Sequence, residues 1–101
     1  MLVVRFKVQC QPGRTDEVAA AMAAVAWAWR ELPGVVHFDV ARDLTDSDAL
    51  IATEVFEDRE AMERQEAQSE VARVMELLQG AASAAPEWTI YEVPSSESPA
   101  I

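Results

Sequence analysis

Residues 35–58 read VVHFDVARDLTDSDALIATEVFED, and the way this stretch folds decides the architecture of the chain. In its first half Val36, Phe38, Val40 and Arg42 share one register, while Val35, His37, Asp39 and Ala41 share the other. In its second half Leu50, Ala52, Glu54 and Phe56 alternate with Ile51, Thr53 and Val55. A period of two over this length is the pattern of an extended strand. LTDSD between the halves is short and polar, so the two strands are predicted to pair as an antiparallel hairpin.

Working outward, Pro33-Gly34 stops a helix whose apolar stripe is Val18, Met22, Val25, Trp29 and Leu32, in steps of four and three. Thr15 or Asp16 is placed to cap it, after Pro12-Gly13 has ended a first strand, LVVRFKVQ. There Leu2, Val4, Phe6 and Val8 face away from Val3, Arg5, Lys7 and Gln9. Beyond the hairpin Asp58 is placed to cap the helix REAMERQEAQ. Ser69 either caps a further turn or lies in a continuous helix through LLQG, where Val71, Val74, Met75 and Leu78 share a face and Gly80 is a C-cap. ASAAP is a linker, and EWTIYEV is a last strand with Trp88 and Ile90 opposite Thr89, Tyr91 and Val93.

The predicted order is β-α-β-β-α-β, an α+β, ferredoxin-like arrangement with both helices on one face of an antiparallel sheet. Residues 1–93 form one domain, and residues 94–101, with little to bury, form a loose tail. Both registers of the sheet carry apolar residues, which a sheet wetted on one side avoids. The economical cover is a homodimer in which two sheets pack face to face. Its rival is a monomer with one weakly apolar face.

Composition narrows the functions. Among 101 residues, 18 acids against 8 bases leave a net charge of -10. That opposes binding to nucleic acid or to an anionic membrane, both of which need concentrated Lys and Arg. Cys10 is the single cysteine, so no intrachain disulfide or cysteine-based metal cluster is expected. The chain enters a strand pattern at Leu2 without a leader-like apolar run, and its alanine-rich helix falls short of membrane length, so the expectation is a cytoplasmic protein.

The blocks VRFKVQCQPGRTDE, LPGVVHFDVARD, ATEVFEDREAME and PEWTIYEV, in this order and spacing, resemble the antibiotic biosynthesis monooxygenase domain. The resemblance spans roughly residues 1–93 and implies a dimeric α+β barrel with a pocket in each subunit between sheet and helices. Some members of that family oxygenate polycyclic aromatic phenols or quinols without metal or flavin, the deprotonated substrate supplying electrons to dioxygen. Others degrade haem or isomerise small phosphorylated metabolites. Many members carry histidines on the second helix in a segment resembling A-H-x-x-S-P-H-F. Here that stretch reads RQEAQSEVARV, with Gln65 and Glu70 at the two histidine positions and Ser69 at the proline. Glu54 matches the strand-three acid often seen in the family.

Five residues follow as candidates. His37, the sole imidazole, can handle a proton near neutral pH with Asp39 beside it, or it is a satisfied polar residue on a half-wet strand. Glu54, set in an apolar strand, would have a raised pKa if buried and so act as acid or base, or it would pair with Arg5 or Arg42. Trp27, off the apolar stripe, and Tyr91 can hold an aromatic ring, and Arg5 can stabilise an enolate or phenolate. Trp29 is read as core, and Arg5 and Lys7 can equally pair with Asp39 or Glu92. The acids around the second helix, Glu66 included, have the look of a solvated face.

No phosphate loop, metal-ligand spacing or catalytic triad is visible, so neither cofactor nor metal is expected. The leading expectation is a cofactor-independent monooxygenase of a small aromatic phenol, quinol or enolisable compound. The alternatives are a non-oxidative isomerase or cyclase, and a non-catalytic dimer that binds a metabolite.

Overall fold

The hairpin is present, and it is tighter than LTDSD suggests. In the computed structural model, which describes residues 1–100, β2 (Val35–Asp43) and β3 (Asp46–Phe56) are joined through Leu44 and Thr45 alone. Asp43 pairs with Asp46 across the turn. The Asp43 carboxylate accepts hydrogen bonds from the Thr45 amide at 2.8 Å and the Thr45 hydroxyl at 2.7 Å, an Asx-type closure. These two bonds hold that carboxyl below the usual carboxylate range.

Around the hairpin stand β1 (Leu2–Gln9), α1 (Thr15–Arg30), α2 (Arg59–Glu66), α3 (Ser69–Ala81) and β4 (Glu87–Glu92). The strands form one antiparallel sheet in the order β2-β3-β1-β4. The order is that of the predicted β-α-β-β-α-β unit, with the second helical segment divided in two. The break falls at Ala67 and Gln68, and Ser69 opens α3 with Gln68 in the capping position.

The sheet's inner face carries Leu2, Val4, Phe6 and Val8 from β1 and Leu50, Ala52, Glu54 and Phe56 from β3. Val18, Met22, Ala26 and Trp29 of α1 and Leu78 and Ala81 of α3 are buried against it. Apolar area removed from water at both layers is what holds helices to sheet. Asp58 caps α2 as expected, its carboxylate accepting from the Ala61 amide at 2.9 Å.

Three local expectations are corrected. A bulge between Val35 and His37 places two residues of β2 against one step of β3. Val35 therefore packs inward near Phe38, whereas Val36, expected to share that face, is 42% exposed. The start of α1 has no side-chain cap: Thr15 already lies within the helix, and its hydroxyl bonds the Asp48 carboxylate at 2.8 Å. Gly80 likewise lies inside α3, which runs on to Ala81, so it supplies no left-handed cap.

Gly34 does need to be glycine. Its φ is +81°, and a Cβ there would lie 2.5 Å from the Ala61 side chain. The start of α2 thus rests directly on the Pro33–Gly34 turn, where the Glu57 amide donates to the Gly34 carbonyl at 2.8 Å and the Arg64 guanidinium to Pro33 at 2.7 Å. This contact sets how α2 crosses the sheet. Residues 94–100 are exposed and hold no helix or strand, and Ile101 lies outside the described residues.

Candidate functional site

Between the inner face of the sheet and the helices lies a cavity of about 230 Å³. Its walls are mostly carbon. Phe6, Phe38, Val40 and Ala52 come from the sheet, Met22 and Trp29 from α1, and Val71, Val74 and Met75 from α3. Trp88 of β4 stands edge-on to Phe6 with ring centres 6.4 Å apart, and Trp29 stands edge-on to Phe38 at 5.3 Å. Exposed Met75 and Trp88 mark the open side.

Three polar side chains reach this space: Glu54 from β3, and Gln65 and Glu66 from α2. Glu54 is 8% exposed and Gln65 4%. Alternation along β3 turns Glu54 inward, between Ala52 and Phe56. Burial, and secondarily the Glu66 carboxylate, push its pKa from 4.5 up to about 7. Among the described residues, no hydrogen bond or cation opposes that rise. Burial also raises Glu66, helped by Glu63, while Arg59 acts the other way. The indole N–H of Trp29, a cavity wall, is buried without a partner.

An apolar pocket with a few convergent polar groups and a perturbed carboxyl is the usual form of a small-molecule site. At neutral pH Glu54 is divided between its two forms, so it can accept a proton from a weakly acidic ligand and return it. The Gln65 carboxamide offers both donor and acceptor. Among the described residues, no group of three or more His, Cys, Asp or Glu side chains is placed to hold a metal.

Of the five residues expected at a pocket, Glu54 alone lines this one. His37 pairs opposite Val55 on the outer face of the sheet and is exposed, so it does not share a site with Glu54. Arg5 and Tyr91 lie on that same outer face, Arg5 opposite Thr53 and Tyr91 opposite Val3. Trp27 is 73% exposed on α1, with the Arg30 guanidinium 4.9 Å over its ring. The expected ion pairs also differ: Asp39 pairs with Arg30, Lys7 with Asp43, Glu92 with Arg59, and Arg42 with Asp16.

Glu66, read from sequence as part of a solvated face, is a cavity residue. A signal was available, because Ala61, Met62 and Gln65 are the buried positions of α2, and Glu66 follows Met62 by one turn. Trp29 is buried as expected, yet it is a wall of the cavity as well as core.

A candidate antibiotic biosynthesis monooxygenase from Deinococcus radiodurans superposes with a TM-score of 0.88 at 18% identity, covering 99% of both chains. Another candidate, from Nitrosomonas europaea, gives 0.87 at 14% identity over 94% of this chain and 100% of its own. Rv0793 of Mycobacterium tuberculosis gives 0.87 at 13%, over 96% and 98%. Likeness at such identities speaks for the fold. Among curated proteins no sequence match is found. The model of the family described as antibiotic biosynthesis monooxygenase matches residues 1–77, and the chain belongs to that family.

Proposed function

We propose that the protein is a cofactor-independent monooxygenase acting on a small aromatic phenol or enolisable compound, with Glu54 as its base. One observation carries the reading: a carboxyl more than nine-tenths buried, facing an aromatic cavity, with a pKa of about 7. The family supports oxygenation as the reaction class.

The ligand's ring lies between Trp29, Phe38 and Trp88, and its acidic C–H or O–H is directed to Glu54. Ionised Glu54 takes that proton, and the Gln65 N–H stabilises the enolate or phenolate. The anion passes one electron to dioxygen, and the resulting radical pair combines into a carbon–oxygen bond. The peroxide takes up a proton and loses water across its O–O and C–H bonds. For a ring methylene the balance is CH2 + O2 → C=O + H2O, the carbon losing four electrons and dioxygen gaining them.

The test is oxygen uptake with dihydroxynaphthalenes or anthrones under a chelator. Protein-dependent uptake, lost in Glu54→Gln, is expected. Uptake no faster than autoxidation counts against the proposal for these compounds, and conversion without uptake assigns the base to isomerase or cyclase chemistry.

The proposal includes a homodimer through the outer sheet face. Val3, Ile51 and Val55 form half-buried apolar rows there, and His37, Arg5 and Tyr91 fall within that seam.

A further inference from the structure

The cavity has two features that bear on the charge of its ligand. The first is a pair of acids, Glu54 and Glu66, that line the space together, the Glu66 carboxylate opposing ionisation of Glu54. Among the described residues, no Lys, Arg or His lines the cavity with them. Arg59, the cation felt by Glu66, is engaged by Glu92 at 2.8 Å. The second feature is Gln65, only 4% exposed and lining the same space, whose side chain makes no hydrogen bond among the described residues. Its carbonyl can accept a hydrogen bond from a ligand N–H.

A ligand that enters already anionic meets two acids and, among the described lining residues, only the neutral N–H groups of Gln65 and Trp29. An ammonium meets the Glu66 carboxylate, a Glu54 whose ionisation it favours, an amide carbonyl, and the aromatic side chains of Trp29 and Phe38, to whose rings cations are attracted. We infer that the ligand of this cavity is an arylalkyl amine, its protonated nitrogen seated between Glu54 and Glu66 and its ring between Trp29, Phe38 and Trp88. The inference rests on the reading of this cavity as the ligand site and narrows its substrate class. It also gives Glu66 a role: it recognises the nitrogen while Glu54 serves the acidic position. A seated ammonium favours ionised Glu54, so the amine readies its own base.

The experiment is calorimetric titration of the full chain near neutral pH, with three probes sharing one ring system: 1-naphthylmethylamine, 1-naphthalenemethanol and 1-naphthoate. The amine is expected to bind about tenfold or more tightly than the alcohol, and the anion most weakly. Glu66→Gln should weaken the amine far more than the alcohol and so remove most of that preference. Glu54→Gln should do the same, and thermal melts of both variants report that they are folded. A preference that survives both substitutions reflects the overall negative charge and overturns the inference. Alcohol or anion binding as tightly as the amine overturns it too, yet keeps the cavity as a ligand site. Failure of all three probes to bind overturns both readings.

Discussion

Phe38 and Glu54 sit directly opposite each other across the β2–β3 ladder, and Trp29 closes over Phe38 edge-on at 5.3 Å. The carboxyl is thereby held against aromatic carbon by the backbone register itself. Moving it would require slipping the hairpin by one residue, which would turn every core side chain of β3 outward. Its raised pKa is thus built into the pairing of the sheet.

The first prediction concerns stability against pH. Glu54 is lifted from 4.5 to about 7, so between these values the native state keeps a proton that the unfolded chain has released. The stability contributed by this group is full below pH 4.5 and is lost as pH rises through 7. Glu54→Gln removes the ionisation and should stabilise the protein by about 3 kcal/mol at pH 8, with little difference near pH 4. Chemical denaturation at both pH values measures it. Equal pH dependence in wild type and variant would mean that the carboxyl is solvated in the native state.

Much of this was legible in the sequence, and the illegible part has a physical cause. Alternation along residues 2–9 and 50–56 separated the two faces because each β3 side chain keeps its parity, and it set Glu54 beside Leu50, Ala52 and Phe56 while leaving a pairing with Arg5 or Arg42 open. His37 also lies on the face that its register named. What the register lacked was which of the two faces receives the helices at that point, and a polar residue beside Val36 and Phe38 reads equally well either way. The bulge at Val35/His37 shifted Val36 as well, and nothing in VVHF marks a bulge. On α2, Glu63 is exposed and Glu66 half-buried, and how deep each sits depends on how the helix seats on the sheet. Part of that seating is the close approach of Gly34 to Ala61, a contact between residues far apart in sequence.

That contact yields the second prediction. Gly34→Ala meets two costs, a φ of +81° and an approach of 2.5 Å to the Ala61 methyl. Gly13, with φ +86° and nothing within 4 Å, meets only the first. Gly13→Ala should destabilise by about 1 kcal/mol, and Gly34→Ala by about 3 kcal/mol or more, because α2 must be displaced. Displacing α2 also moves Gln65 and Glu66, so the weakened variant should lose ligand affinity at temperatures where it is still folded. Equal losses of stability in the two variants would show that α2 can shift freely on the turn.

The third prediction tests the proposed seam. On the outer face Val55 lies between Val3 and His37, so it occupies the middle of a row across the sheet rather than the sheet's edge. Val55→Lys places an ammonium in that row while leaving the inner core untouched. If two sheets pack there, the cost of burying an unpaired charge on each side of a two-fold interface should convert dimer to monomer. Sedimentation should then give twice the chain mass for the wild type and the single chain mass for the variant, with circular dichroism unchanged. Glu54 lies on the other face, and with its cavity enclosed within one chain the monomeric variant should still bind the amine probe. A wild type that sediments as one chain at every concentration would leave Val3, Ile51 and Val55 as a face that water tolerates, and the dimer would have to be abandoned.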